Sequence, residues 1–411
     1  MSAAGMVVRG VVENSGDAPG SVHDDRRMID SPGTDQRLRR LTAWRGATRV
    51  LSRIAAEHRI SDRLAGLAAD AGSVYDLDDW VDMYGDGIVG ELERRTARTL
   101  GMEAAVFFPT GTMAQQVALR CWAGRTGNRT VALHHRSHPE TDERGAFSAV
   151  SGLRTVHPTT QPRLPTADEV RALDEPFGAL MLELPLREAG FVLPTWDELA
   201  DVVDAARERD AVVHFDGARI WECTSHFGRS VREIAALADS VYVSFYKSLG
   251  GMSGAALVGP RSLIDEARAW RHRYGGDLFH QYPAVLSALL GLERELPRLP
   301  EYVAHAKVVA AALAKGFEAA GVSWFRVHPG VPHIHRFQVW LPYAPDVLTE
   351  AAVRLAEETG TTLFHRWFPA PGGPPDIAVT EVTVAAEGLE WTAEDVMTAV
   401  SAFTGRLSER S

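Results

Sequence analysis

The first residue in this sequence whose type and place could do chemistry is a lysine. Val241 to Phe245 reads as a buried strand of β-branched and aromatic residues, and it leads directly to Lys247, followed by Ser248, Leu249, Gly250 and Gly251. Lysine is among the residues least often fully buried. An ammonium delivered by a core strand into a glycine-rich turn suits an amine that condenses with a carbonyl. Two other strand ends carry reactive groups. Ala104–Phe108 is followed by Pro109-Thr110-Gly111-Thr112 and then a helical stretch. A small, hydroxyl-bearing turn at a helix N-terminus offers free N–H groups and a favourable dipole to an anion; the same residues also make an ordinary N-cap. Ala211–Phe215 is followed by Asp216-Gly217-Ala218-Arg219. Such an aspartate can hold a protonated ring nitrogen through a charge-assisted hydrogen bond, or it can cap a helix or pair with Arg219. After Thr130–Leu133 the chain reads "HHRSHPE", with three histidines, one of which could stack on a flat ligand.

Together these residues suit one cofactor, pyridoxal 5'-phosphate. It requires a lysine for its aldehyde, a carboxylate for its pyridinium nitrogen and an anion site for its phosphate. The sequence offers all three at strand ends.

The elements that must position these groups alternate. Short apolar runs at Ala104–Phe108, Thr130–Leu133, Ala179–Leu182, Ala211–Phe215, Ser240–Phe245 and Ala255–Val258 are separated by turns and helical stretches. Continuous apolar strands alternating with helices predict a mostly parallel sheet covered on both faces. Ligands of such sheets sit beyond the carboxyl ends of the strands. Residues 1–36, rich in Gly, Ser, Asp and Pro, read as a flexible extension, and 37–74 as a helical arm. A large α/β domain is expected over 75–295. Strand patterns at "HRFQVWLP" and "DIAVTEVTV" with helices at 346–359 and 392–407 predict a smaller α+β domain over 296–411.

Composition narrows the partners. A net charge of −11 argues against nucleic acid, which wants a basic surface. No apolar run approaches bilayer length, so no membrane association is expected, and the N-terminus lacks an apolar core of signal-peptide type. The two cysteines, Cys121 and Cys223, belong to no metal-ligand spacing and read as core thiols of a cytoplasmic protein. No metal is expected.

Three stretches, "YGDGIVGELERRTARTLGMEAAVFFPTGTMAQQVAL", "VVHFDGARIWE" and "VSFYKSLGGMSGAALVGP", resemble the threonine aldolase and β-eliminating lyase family, pyridoxal-phosphate enzymes of the aspartate aminotransferase fold. The resemblance implies that Lys247 carries the cofactor, Asp216 holds its ring nitrogen and Arg219 lies beside it. Thr110, Gly111 and Thr112 would hold the phosphate, and His138, in the Ser137-His138 pair, would stack on the ring. It further implies a homodimer or homotetramer acting on a small amino acid, with aldol cleavage of a β-hydroxy amino acid to glycine and an aldehyde. Elimination, β- or γ-replacement and decarboxylation use the same cofactor set, and a scaffold without catalysis is the reading from another class. Arg271 or Arg273 would reach the partner's cofactor.

Three departures bear on the substrate. The family's N-terminal Ser-Asp-Thr is replaced by "SVYDLDDWVDMYGDG". Its Glu-Asn-Thr-His is here "LELPLREAGFVLP", which keeps Glu183 and offers Arg187 for the substrate carboxylate. Its arginine early in the last strand falls near Ile377, with Glu381 soon after. Arg336 and Arg366 are possible replacements or structural arginines between aromatics. His134 and His135 are possible acids or bases.

Overall fold

The computed structural model describes residues 34–51, 58–371, 373 and 376–407. The apolar runs become strands as their β-branched and aromatic content predicts. In chain order these are β1 (Arg49–Val50), β2 (Ala104–Phe108), β3 (Thr130–Ala132), β4 (Arg154–Val156), β5 (Ala179–Glu183), β6 (Val212–Gly217), β7 (Ser240–Ser244), β8 (Ala255–Gly259), β9 (Arg326–His328), β10 (Arg336–Leu341), β11 (Thr361–Thr362), β12 (Phe368–Pro369) and β13 (Ala378–Thr383).

The main sheet has seven strands in the order β2-β8-β7-β6-β5-β3-β4. Only β8 runs against its neighbours β2 and β7; the other pairings are parallel. Every residue of β2, β5, β7 and β8 is buried, as a sheet covered on both faces requires. The reversal of β8 matters for the site. Antiparallel neighbours can be joined without a crossover helix, so β7 and β8 are linked by a loop over the carboxyl end of the sheet, and that loop carries Lys247.

The second sheet is antiparallel, in the order β12-β13-β10-β9. Side chains alternate across it. Phe337, Val339, Leu341 and Val382 enter a core with the helices Leu299–Ala319, Pro345–Thr359 and Ala393–Gly405. Arg336, Gln338 and Glu381 occupy the opposite face, with Gln338 directly across from Glu381. The helix Leu299–Ala319 gives Leu299 and Tyr302 to the core of the main sheet and Val309, Leu313 and Phe317 to that of the second. We propose that the chain divides into its two domains close to this helix, near residue 296.

The helical reading of the segment before residue 75 needs a correction. Helices run from Thr34 to Gly46 and from Ile60 to Asp70, but β1 lies between them and pairs with β11. The first helix packs Ala43 and Trp44 against Val353 and Ala356 of the helix Pro345–Thr359. Residues 1–33 of the predicted extension lie outside the described residues. The periodicity also missed β4 and β9, which are three-residue, partly exposed strands at sheet edges. Among the described residues no helix is long and apolar enough to cross a membrane.

Candidate active site

The carboxyl ends of β5, β6 and β7 lie side by side, so Glu183 is paired in register with Asp216 and Asp216 with Tyr242. Lys247 follows shortly after β7. One small cavity is lined by Lys247, Asp216, Arg219, His138 and Arg187. Glu183, Asp142 and Glu188 complete its charged wall. Thr110, Gly111 and Thr112 are set back from this cavity. They open the helix Gly111–Thr126 beside Tyr242, the register partner of Asp216.

Burial sets the electrostatics. Asp216 is 2% exposed, and desolvation pushes its carboxyl above the ordinary range although Lys247 and His138 pull it back. Its Oδ1 accepts the N–H of Ala218 at 3.1 Å. Glu183 accepts the N–H of His138 at 2.8 Å and the N–H of Arg187 at 3.2 Å. Burial, with Asp216 beside it, still raises Glu183 to about 7. Burial and then the neighbouring Arg219 lower the Lys247 ammonium to about 8. For His138, burial is the largest influence and disfavours the imidazolium, but Glu143, 3.4 Å from Nδ1, together with Asp216 makes the net shift upward.

Two arginines enter the cavity in different ways. Arg219 is 5% exposed, its guanidinium lies 5.4 Å from the centre of the Phe191 ring, and its Nε has no hydrogen-bond partner among the described residues. Arg187 is paired through Nη1 with Glu188 at 3.1 Å and through Nη2 with Glu381 at 2.9 Å.

Other sequence candidates lie elsewhere. His134 uses both ring nitrogens locally: Nε2 donates to the Gln161 carbonyl at 2.7 Å, and Nδ1 accepts the N–H of Arg136 at 3.0 Å. The His135 ring lies tilted beside it at 4.4 Å, and neither lines the cavity. Arg366 lies over the Phe368 ring on the second sheet. Arg336 is outside the cavity wall, yet burial and Arg219 lower its guanidinium to about 10. Arg271 is engaged within its own chain by Asp277 and by the Phe107 carbonyl at 2.9 Å, and Arg273 lies over Trp270.

The residues present fit pyridoxal phosphate. A half-buried lysine of lowered basicity, a buried carboxylate and a histidine converge on one cavity. Beside them the turn at Gly111 packs tightly on Tyr242, since a Cβ there would come 2.2 Å from the Tyr242 hydroxyl.

The family model for beta-eliminating lyases matches residues 69–327. The chain belongs to the beta-eliminating lyase family. The low-specificity L-threonine aldolase of Escherichia coli O157:H7 is 32% identical over 227 residues, which cover 54% of this chain and 67% of that protein. A solved structure of a candidate L-allo-threonine aldolase from Listeria monocytogenes is 34% identical, with a TM-score of 0.79 over 89% of this chain and 99% of that one. A structure of SPT with PLP, 18% identical over 83% of each chain with a TM-score of 0.59, shares the fold. The chain thus has the fold of the pyridoxal-phosphate enzymes, and its family implies that cofactor.

Sequence reasoning kept Glu183 but gave it no role, and it gave none to Asp142, Glu143, Glu188 or Tyr242. Only Glu188, next to Arg187, had a local signal. The others reach the site through folding.

Proposed function

We propose that this protein is a pyridoxal-phosphate lyase that cleaves a β-hydroxy amino acid between Cα and Cβ, giving glycine and an aldehyde. The observation that carries the reading is the meeting of Lys247, Asp216, His138 and Arg219 in one buried cavity at the carboxyl end of the sheet. Bound there, the cofactor would supply the electron sink for a bond broken at Cα.

The residues of the chain would do the rest. Lys247 supplies the amine, and its lowered basicity keeps much of it neutral and nucleophilic near pH 8. Asp216 holds the proton on the ring nitrogen. His138 covers the ring, and its Nδ1, facing Glu143, holds a proton close to the reacting atoms. Thr110, Gly111 and Thr112 receive the phosphate at a helix N-terminus. Arg219 lies beside the cofactor, and Arg187 orients the substrate carboxylate, whose planar geometry suits a guanidinium fork.

A second reading has an observation of its own. Leu184, Pro185 and Leu186 replace polar residues of the family after Glu183, and Ile377 stands near its last arginine. These groups orient the substrate, so elimination, replacement or decarboxylation of another amino acid is the alternative. The test is to incubate the holoenzyme with a panel of β-hydroxy amino acids and measure glycine and aldehyde. Both products support aldol cleavage. Their absence, with pyruvate, ammonia or CO₂ from another amino acid, selects the alternative.

A homodimer or homotetramer suits the surface. Trp80 is 89% exposed, and the exposed rings of Tyr84 and Phe279 meet edge to face at 5.4 Å. Exposed apolar rings in contact, as Tyr84 and Phe279 are, mark an interaction surface, and sedimentation of the holoenzyme tests it.

A further inference from the structure

The turn that carries Arg187 is fastened to the second sheet. His328 Nε2 donates to the Ala189 carbonyl at 2.9 Å, and the N–H of Leu193 donates to His333 Nδ1 at 2.9 Å. Gly190, at φ +98°, allows the close approach, since a Cβ there would come 2.2 Å from the His328 ring. From this turn the Arg187 guanidinium reaches β13, where Nη2 lies 2.9 Å from Glu381 Oε1. The two side chains are 6% and 7% exposed.

A buried guanidinium without a counter-charge is strongly unfavourable. Glu188 supplies one from the same turn, but Glu381 comes from the other sheet. Its place on β13 is not explained by packing of the second core, which Phe337 and Val382 fill from the opposite face. Glu381 shares its face with Arg336, one diagonal step away on the ladder. Arg336 in turn feels the charges of Arg187 and Arg219. Glu381 adds a carboxylate where Arg187, Arg219 and Arg336 converge. Nη1 and Nη2 of Arg187 face carboxylates as ion pairs, yet its buried Nε and Nη2 make no hydrogen bond among the described residues, and it lines the cavity.

We infer that Glu381 is a positioning residue: it holds the Arg187 fork so that the remaining N–H edge meets the carboxylate of the amino-acid substrate. This rests on the reading of Arg187 as the carboxylate anchor. The strand in which the resemblance expects an arginine instead supplies the carboxylate that holds an arginine from another element.

The experiment is calorimetric titration of the holoenzyme with glycine at matched cofactor occupancy, together with KM and kcat on the best substrate of the panel. Arg187→Ala and Glu381→Gln should each weaken glycine roughly tenfold or more, the scale of a lost charged hydrogen bond. Cofactor content should stay unchanged and KM should rise more than kcat falls. The double variant should bind glycine no more weakly than Arg187→Ala alone, because Glu381 acts only through Arg187. Wild-type affinity in Arg187→Ala would remove the anchor reading, and the positioning role with it. A loss in Arg187→Ala with none in Glu381→Gln would overturn the positioning role alone, and so would additive losses in the double variant. Should Glu381→Gln not fold, Glu381→Asp carries the test. It keeps the charge and shortens the reach, so an intermediate loss of glycine affinity is expected and wild-type affinity overturns the role.

Discussion

Glu183 lies directly across from Asp216 on neighbouring parallel strands, and both carboxylates are buried. Two such groups cannot both ionise without cost. Burial and the Asp216 charge raise Glu183 from the usual carboxylate range to about 7. A carboxyl raised on folding contributes stability that is full below its unfolded pKa and is lost as pH rises through its folded pKa. The cofactor-free protein should therefore lose stability relative to Glu183→Gln as pH rises from about 4.3 to about 7. Thermal denaturation of both proteins across this range measures the difference. A pH-independent difference would mean that Glu183 is not the titrating group.

Lys247 should be the residue that borohydride fixes to the cofactor. The other lysines of the chain, Lys307 and Lys315, lie on the helix Leu299–Ala319, so peptide mapping gives a clear answer. Lys247→Ala should abolish both the label and turnover. Because only the neutral amine attacks, uptake of pyridoxal phosphate by the apoprotein should accelerate with pH and level off above about 8. Uptake is followed by absorbance, and a plateau already reached at pH 6 would contradict the lowered basicity.

Asp216→Asn should keep the fold, because the amide can still accept the Ala218 N–H. It loses the charge that keeps the ring nitrogen protonated. Turnover should fall by about a hundredfold to a thousandfold, the scale of one lost preorganised electrostatic contact. Near-normal turnover would count against the role.

His138→Phe should retain more cofactor affinity than His138→Ala, since a flat ring preserves the stacking surface. Equilibrium dialysis against pyridoxal phosphate compares them, and equal affinities would place His138 off the ring.

Gly111→Ala should weaken cofactor binding, because its Cβ would overlap the Tyr242 hydroxyl. Removing that hydroxyl with Tyr242→Phe in the same chain should recover part of the loss. Failure of the second change to help would locate the strain elsewhere, and fluorescence titration with pyridoxal phosphate reads both.

The strands that carry the site were legible where the signal is local. The apolar runs at Ala104–Phe108 and Ser240–Phe245 became β2 and, one residue shorter, β7 because continuous β-branched and aromatic segments can be buried on both faces without help from distant residues. The break at β1 was not legible. Arg49 and Val50 are extended only because Thr361 and Thr362 pair with them, and no pattern within the segment encodes that partner.

The same division runs through the chemistry. The sequence by itself determined which groups stand at the strand ends: Lys247, Asp216 and the Thr110–Thr112 turn are each adjacent in the chain to the strand that aims them. It also determined the departures, since the residues after Glu183 and the place of Ile377 are read directly. Only the tertiary structure decided the charge state and the company of these groups. Glu183 is raised because folding sets it beside Asp216 and removes water from both. Arg271 is held within its own chain because Asp277 and the Phe107 carbonyl reach it first. Arg187 meets Glu381, far along the chain, because the turn after β5 packs against the polar face of the second sheet. Electrostatic partners act through space at a few ångströms in a desolvated interior, and that distance is set by packing, which local sequence does not encode.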